Sequence, residues 1–236
     1  MKTVIITGAS RGIGRATAIK FKQNNYNVLG TYLNSKTQAQ ALEKEYGIDM
    51  QPLNVSDCKS VADFFDYALN KYGKIDVVIN NAGVATSQKF ILDVTEQEFD
   101  ALVYVNFKGT FNVLKKSVET MLSSGGRIIN ISSIYTLQGG SCESVYTATK
   151  YAVNGLTKAV SEELSSSALE VCTAILGLID TDMNSHLTSD EKLEFVKEIG
   201  LTEIPTAKDV ADELFNVTTN KTSVNGKEFK IFTGNL

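Results

Sequence analysis

The chain has 236 residues, 43% hydrophobic and 21% charged, which suits one soluble domain with room for a sizeable core. Basic and acidic residues number 23 and 27, for a net charge of −4, so neither a nucleic-acid nor an anionic-membrane partner is expected. The three cysteines (Cys58, Cys142, Cys172) are scattered without metal spacing and His186 is the only histidine, so no metal site is expected either.

The start, MKTVIITGAS, enters a strand-like run at once and lacks the pattern of a signal peptide. With no run of membrane-spanning length, a cytoplasmic protein is expected. Thr3-Val-Ile-Ile6 reads as a buried parallel strand ending in a glycine turn. Residues 12–24 have helical spacing, and Asn27 to Leu33 is a second strand. Residues 36–46 read as a helix stopped by Gly47, and Met50 to Val55 as a third strand. Ser56 or Asp57 can cap a helix running to Tyr72, which Gly73 can end. Ile75 to Ile79 is a fourth strand. Thr95 with Glu98 makes a capping box ahead of a long helix through about Met121. Gly126 to Ile131 is a fifth strand, residues 145–166 a helix, and Leu169 to Leu176 a sixth strand. Residues 183–200 are polar and helical, Asp209 to about Val217 is a last helix, and Lys227 to Phe232 a seventh strand. Two prolines and no linker argue for one domain. Alternation of strand and helix predicts an α/β fold: a single-domain, Rossmann-type, doubly wound parallel sheet of about seven strands with helices on both faces.

Two stretches carry chemistry. The loop Thr7-Gly8-Ala-Ser-Arg-Gly12-Ile-Gly14 lies between a strand and a helix, where free N–H groups and the helix dipole favour a phosphate. Its spacing is G-x-x-x-G-x-G, and an ordinary strand-to-helix turn needs fewer glycines. Tyr146 and Lys150 lie one turn apart on one helix face. A cation beside a phenol lowers its pKa and suits it to proton transfer near neutral pH, although most exposed pairs of this spacing are weak surface contacts.

Thr7-Gly8 to Gly14, Asn80-Asn-Ala-Gly83, Ser133 and Tyr146-x-x-x-Lys150 occur in the order and spacing of the short-chain dehydrogenases/reductases, and the chain resembles that family from residue 3 to about 183. The resemblance implies a catalytic set of Asn106, Ser133, Tyr146 and Lys150. Ser133, thirteen residues before the tyrosine, polarises a substrate carbonyl. Tyr146 gives the proton, Lys150 tunes the phenol and holds the nicotinamide ribose, and Asn106 holds a water of the proton relay. Ser132 is read as a strand end with its side chain in the protein. The implied cofactor residues are Gly8, Ser10, Arg11, Gly12, Ile13, Gly14, Asn34, Ser35, Asn54, Val55, Asn81, Ala82, Gly83, Ile179 and Thr181, beside Tyr146 and Lys150.

The end of the second strand, Thr31-Tyr-Leu-Asn-Ser-Lys36, lacks the carboxylate that binds an NAD ribose, and Arg11 can meet a 2′-phosphate. NADP(H) is therefore the expected cofactor. Leu176-Gly177 stands where the family usually has Pro-Gly, which changes the constraint on the nicotinamide loop. Residues 183–206 occupy the place of a substrate lid, and His186 there is read as a surface residue. Ala9 to Gly14, Leu53 to Val55, Gly126 to Ser132 and Ile179 to Met183 resemble the 3-oxoacyl-[acyl-carrier-protein] reductase branch. That branch implies reduction of a 3-oxoacyl thioester carried on acyl carrier protein or coenzyme A. However, Ser123-Ser-Gly125 and Ser165 to Glu170 offer no basic residue to an acidic carrier. The alternatives are a reductase of another small ketone, alcohol or sugar and, more remotely, a non-catalytic NADP-sensing module. The resemblance also implies a homotetramer or homodimer built on the two long helices and the last strand.

Overall fold

A computed structural model describes residues 1–185 and 187–236. His186 lies outside the described residues.

The strands are β1 (Thr3–Ile6), β2 (Asn27–Tyr32), β3 (Asp49–Pro52), β4 (Val77–Asn80), β5 (Gly126–Ser133), β6 (Leu169–Leu176) and β7 (Glu228–Ile231). All pair in parallel, in the order β3-β2-β1-β4-β5-β6-β7. The order reverses between β1 and β4, so the crevice opens at the carboxyl ends of those two strands. The helices are α1 (Gly12–Gln23), α2 (Lys36–Tyr46), α3 (Cys58–Tyr72), α4 (Glu96–Leu102), α5 (Thr110–Met121), α6 (Tyr135–Gln138), α7 (Ser144–Glu163), α8 (Ser189–Glu198) and α9 (Ala207–Thr219).

The central strands β1 and β4 are buried on both faces, and the period of two sends alternate side chains into two cores. Val4, Ile6, Val77 and Ile79 pack with Phe21 of α1 and Leu214 of α9. Ile5, Val78 and Ile128 pack with Phe65 of α3 and Leu114 of α5. In the first core the ring of Phe21 meets Tyr26 and Phe215 edge-on, with centroids 5.0 and 5.2 Å away.

Three expectations need correction. β3 ends at Pro52, so Leu53 to Val55 leave the sheet and turn toward the crevice. β5 runs on to Ser133, because Ser132 and Ser133 still pair with Ile175 and Leu176. The expected continuous helix from Thr95 is capped as anticipated, with Thr95 and Glu98 bonding reciprocally. It is interrupted, though, by a π-helical stretch, Val103–Gly109, between α4 and α5. Gly109 there lies against Val55, where an added Cβ would stand 2.6 Å from Val55 Cγ2.

Candidate active site

The strand ends set the site. Thr7, just past β1, accepts through Oγ1 from the backbone N–H groups of Asn81 and Ala82, each at 2.9 Å. The Asn81 Nδ2 donates back to the Thr7 carbonyl at 2.9 Å. Asn80 Nδ2 donates to the Thr110 carbonyl at 3.0 Å and to Asn130 Oδ1 at 3.1 Å, and Asn130 Nδ2 to Thr157 Oγ1 at 2.9 Å. This buried polar chain locks β1, β4, β5, α5 and α7 in register, because each member removed leaves a desolvated partner.

Gly14 is the tightest point of the glycine loop. A Cβ there would collide with the Gly8 carbonyl oxygen and approach Asn81 Nδ2 to 2.7 Å. Arg11 precedes α1 in extended backbone, and no side chain caps the helix. The first-turn N–H groups of α1 are therefore left for an anion, as a pyrophosphate requires.

A cleft of about 800 Å³ runs across these strand ends, a size that suits a dinucleotide. Gly8, Ser10, Arg11, Gly12, Ile13, Gly14, Asn34, Ser35, Asn54, Val55, Asn81, Ala82, Gly83 and Thr181 all line it. Asn54 closes a local turn there, its Oδ1 accepting from the Ser56 N–H at 3.1 Å. The cleft continues into a smaller pocket lined by Ser133, Tyr146, Lys150 and Ile179, with Ile13, Asn81, Gly83 and Thr181 shared between the two. Ile179 gives its carbonyl to Asn184 Nδ2 at 2.8 Å, which fixes the loop after β6. Leu176, in place of the usual proline, continues β6 between Ser133 and Ile231. Gly177 then donates its N–H to the Ile231 carbonyl at 2.9 Å, and its lack of a side chain is required because a Cβ would strike the Phe232 carbonyl.

Ser133 Oγ lies at the end of β5 and accepts from the Tyr135 N–H at 3.3 Å. Ser132 Oγ is buried without a hydrogen-bond partner, and Ser132 lines the smaller pocket beside Ser133. Lys150 is buried and donates from Nζ to the Ile131 carbonyl at 3.0 Å, with the ammonium 5.6 Å from the Tyr146 ring centroid. Burial pushes the Lys150 pKa down to about 8. The expected lowering of the Tyr146 pKa is not found in the protein alone. Burial drives the phenol up, the Glu143 and Tyr135 charges add to that, and only a hydrogen bond with Ser133 acts the other way. The physical reason is that both partners are desolvated together, so each resists its charged form. Tyr146 is accordingly a protonated phenol at neutral pH, the state a proton donor needs.

Asn106 is fully buried in the π-helical stretch. Its Oδ1 accepts from the Val84 N–H at 2.8 Å and its Nδ2 donates to the Val84 carbonyl at 2.9 Å. The side chain thus clamps the segment that follows Asn81 to Gly83. Among the described residues no group of His, Cys, Asp or Glu could hold a metal ion.

The order of these parts agrees with what is known of other proteins. Residues 2–192 match the family model described as short chain dehydrogenase. The chain belongs to the short chain dehydrogenase family. Among curated relatives, the 3-oxoacyl-[acyl-carrier-protein] reductase FabG of Staphylococcus aureus is 38% identical over 88% of this chain and 84% of its own length. The protein of the same name from Thermotoga maritima is 34% identical over 86% and 82%. Among solved structures, ElxO with NADP bound superposes with a TM-score of 0.88 at 28% identity, covering 97% of this chain and 96% of that one. A 3-ketoacyl-(acyl-carrier-protein) reductase from Brucella melitensis, complexed with NADH, shares the fold at a TM-score of 0.90 and 23% identity, with coverage of 97% and 96%.

For this short chain dehydrogenase the structure adds residues that motif reading passed over. Thr7 and Thr31 brace the glycine loop, Thr31 Oγ1 accepting from the Gly8 N–H at 3.1 Å. Their signal in sequence is a hydroxyl at the end of a buried strand. Gln88, Tyr135 and Glu143 line the smaller pocket beside Tyr146. Glu143 had a signal too, since three residues before Tyr146 is one helical turn.

Proposed function

We propose that this short chain dehydrogenase is an NADPH-dependent carbonyl reductase acting on a 3-oxoacyl thioester, carried by acyl carrier protein or coenzyme A. The observation that carries the reading is the convergence of Ser133, Tyr146 and Lys150 on one end of a dinucleotide-sized cleft. Relatives over more than four-fifths of the chain bear the 3-oxoacyl reductase name, which supports the substrate class. Preference for NADPH rests on Arg11 in the glycine loop and on the absence of Asp or Glu from residues 31–36 at the end of β2.

The cofactor, when bound, supplies the hydride. The first turn of α1 takes its phosphates, Arg11, Asn34 and Ser35 the 2′-phosphate, Asn54 and Val55 the adenine, and Asn81 to Gly83 the ribose. Ile179 and Thr181 hold the carboxamide end. Ser133 donates to the substrate carbonyl and orients it, and Tyr146 gives its phenolic proton to the oxygen as the alkoxide forms. Lys150 holds positive charge behind the phenol and offsets the phenolate left after transfer. The segment 183–206 contributes Met183, Asn184, Leu187 and Phe195 to the pocket wall. Its anchor is Lys192, whose Nζ meets Asp180 Oδ1 at 2.7 Å.

Purified protein with acetoacetyl thioesters and NADPH tests the reading, turnover being followed by loss of reduced nicotinamide. Tyr146→Phe abolishes turnover, at least about a hundredfold, while NADPH binding persists. Substantial activity in that variant would overturn the assignment of the proton donor. The Ser123–Gly125 and Ser165–Glu170 segments lack basic residues, and this favours a second reading in which a small free ketone replaces the carrier-bound thioester. Turnover of simple ketones without turnover of thioesters would select it.

A further inference from the structure

Glu143 has no part in the proton transfer described above, yet it is only 8% exposed and lies on the wall of the substrate pocket. It stands at the N-terminal end of α7, three residues before Tyr146. A carboxylate there ordinarily accepts from first-turn N–H groups. Glu143 makes no capping bond and is turned toward the pocket instead. Burial raises the Glu143 pKa, and a hydrogen bond from the Gln88 carboxamide acts the other way. Lys89, the next residue, is held elsewhere by Glu98 at 2.6 Å, and Lys150 is held by the Ile131 carbonyl at 3.0 Å. Among the described residues no lysine or arginine forms an ion pair with Glu143.

A carboxylate has about four acceptor positions, and one amide donor fills one of them. Closing the pocket on a substrate without a donor removes water from the others and leaves them unmatched, which is costly. Elsewhere on the pocket wall Leu178, Leu187 and Phe195 supply hydrocarbon, the Asn184 Nδ2 is taken by the Ile179 carbonyl, and the Tyr135 phenol, near enough to feel the Glu143 charge, is one further donor. The backbone backs up the arrangement: the Lys89 N–H bonds to the Cys142 carbonyl at 2.9 Å, tying the Gln88 loop to the turn before Glu143.

We propose that Glu143, oriented by Gln88, is the specificity-determining residue of the pocket and accepts a hydrogen bond from an N–H or O–H group carried by the substrate. The proposal rests on the carbonyl-reductase reading and narrows its substrate class. For a carried thioester the donor is the amide N–H of the carrying arm. For a free ketone it is a hydroxyl beside the carbonyl.

Two matched pairs of compounds separate these sources. One pair is the acetoacetyl thioester of N-acetylcysteamine and its analogue with an ester oxygen in place of the amide N–H. The other is 1-hydroxy-2-butanone and 3-pentanone, in which a methyl group replaces the hydroxyl. With the wild-type chain, kcat/KM favours the donor-bearing member of at least one pair by about tenfold or more, and the pair concerned identifies the source. Glu143→Ala brings that ratio to near one. Glu143→Gln, close to isosteric and still an acceptor, retains part of it and serves if the alanine variant fails to fold. Equal kcat/KM within both pairs for wild type, or a preference unchanged in both variants, would overturn the proposal. Calorimetric titration of the same pairs into protein loaded with NADP+ reads the preference without turnover. A binding preference without turnover of any carbonyl sinks the reductase reading and leaves Glu143's role standing. Turnover with no preference does the reverse.

Discussion

At the scale of single residues, the site is built from groups held against their own ionisation. Tyr146 is kept protonated by burial, and Lys150 is brought down to about 8 by the same cause. An unfolded lysine keeps its proton to about pH 10.4, so between there and pH 8 the unfolded chain binds more protons than the folded one. Folding is therefore disfavoured by the Lys150 charge throughout the range below pH 8, and that cost is relieved as pH rises from 8 toward 10. Replacing Lys150 by Met removes the buried charge but also the donor to the Ile131 carbonyl. We expect a net gain of about 1–2 kcal/mol at pH 7, shrinking toward pH 10, with turnover at least about a hundredfold lower. Urea unfolding across that pH range checks it, and a variant less stable than wild type at pH 7 would count against the buried-charge account. On the proposed mechanism we expect an alkaline limb near pH 8 in the kcat/KM profile for reduction, since loss of the Lys150 proton would remove the charge behind Tyr146. Arg11 is exposed at the cleft. Its replacement by Ala should raise KM for NADPH by about tenfold, the worth of a charge-assisted hydrogen bond, and leave KM for NADH nearly unchanged. An unchanged KM for NADPH would remove Arg11 from the 2′-phosphate site.

At the scale of elements, strands and helices were legible because buried parallel strands are short apolar runs between amphipathic helices. Local chemistry marked several ends correctly: Asp57 caps α3 by accepting from the Lys59 N–H at 2.9 Å, and Gly47 ends α2 with φ at 63°. What sequence concealed is set by distant contacts. Ser133 lies beyond the strand end read at Ser132, but its ladder partner Leu176 on β6 keeps it in the sheet. Val103–Gly109 has an unbroken helical pattern, and its π-helical widening follows from Gly109 against Val55 and Asn106 against Val84, neither of which local periodicity encodes. The motif residues of the site were legible in kind, whereas Glu143 and Gln88 meet only after the 85–90 loop folds over α7. The clamp at Val84 gives the stretch its use, as π-bulges often coincide with functional sites. Asn106→Ala leaves both Val84 backbone groups without that partner and loosens the ribose segment. It should cost about 1–3 kcal/mol of stability and raise KM for the cofactor several-fold, read by urea unfolding and by NADPH titration. Wild-type values for both would show that the clamp positions nothing.

At the scale of the whole molecule, the surface is uneven. Phe99, Tyr104 and Phe111 on the α4–α5 helix are 49%, 49% and 42% exposed, Tyr151 on α7 is 51% exposed, and Phe90, Ile91 and Leu92 precede them in an exposed run. Large apolar side chains gathered on neighbouring elements mark association surfaces more often than solvent-facing ones. The free edge at β7 is different in character, since exposed Glu228 and Lys230 guard it against casual strand pairing. We therefore expect the chain to self-associate through α4, α5 and α7, as a dimer or as a pair of dimers. Sedimentation at micromolar concentration should give at least twice the 25.7 kDa of one chain. Phe99→Asp together with Phe111→Asp should return the monomer, because two carboxylates would have to be desolvated in the interface. A wild-type monomer would rule the association out. The consequence for the site is direct. α7 carries Tyr146 and Lys150 inward and Tyr151 outward, so a partner packed on its outer face would brace the helix that holds the proposed proton donor. Specific activity should then fall on dilution and fall in the double variant, with NADPH binding less affected than turnover. The expected difference follows from the packing, since α1, the proposed seat of the cofactor phosphates, lies on the opposite side of the sheet from α5 and α7.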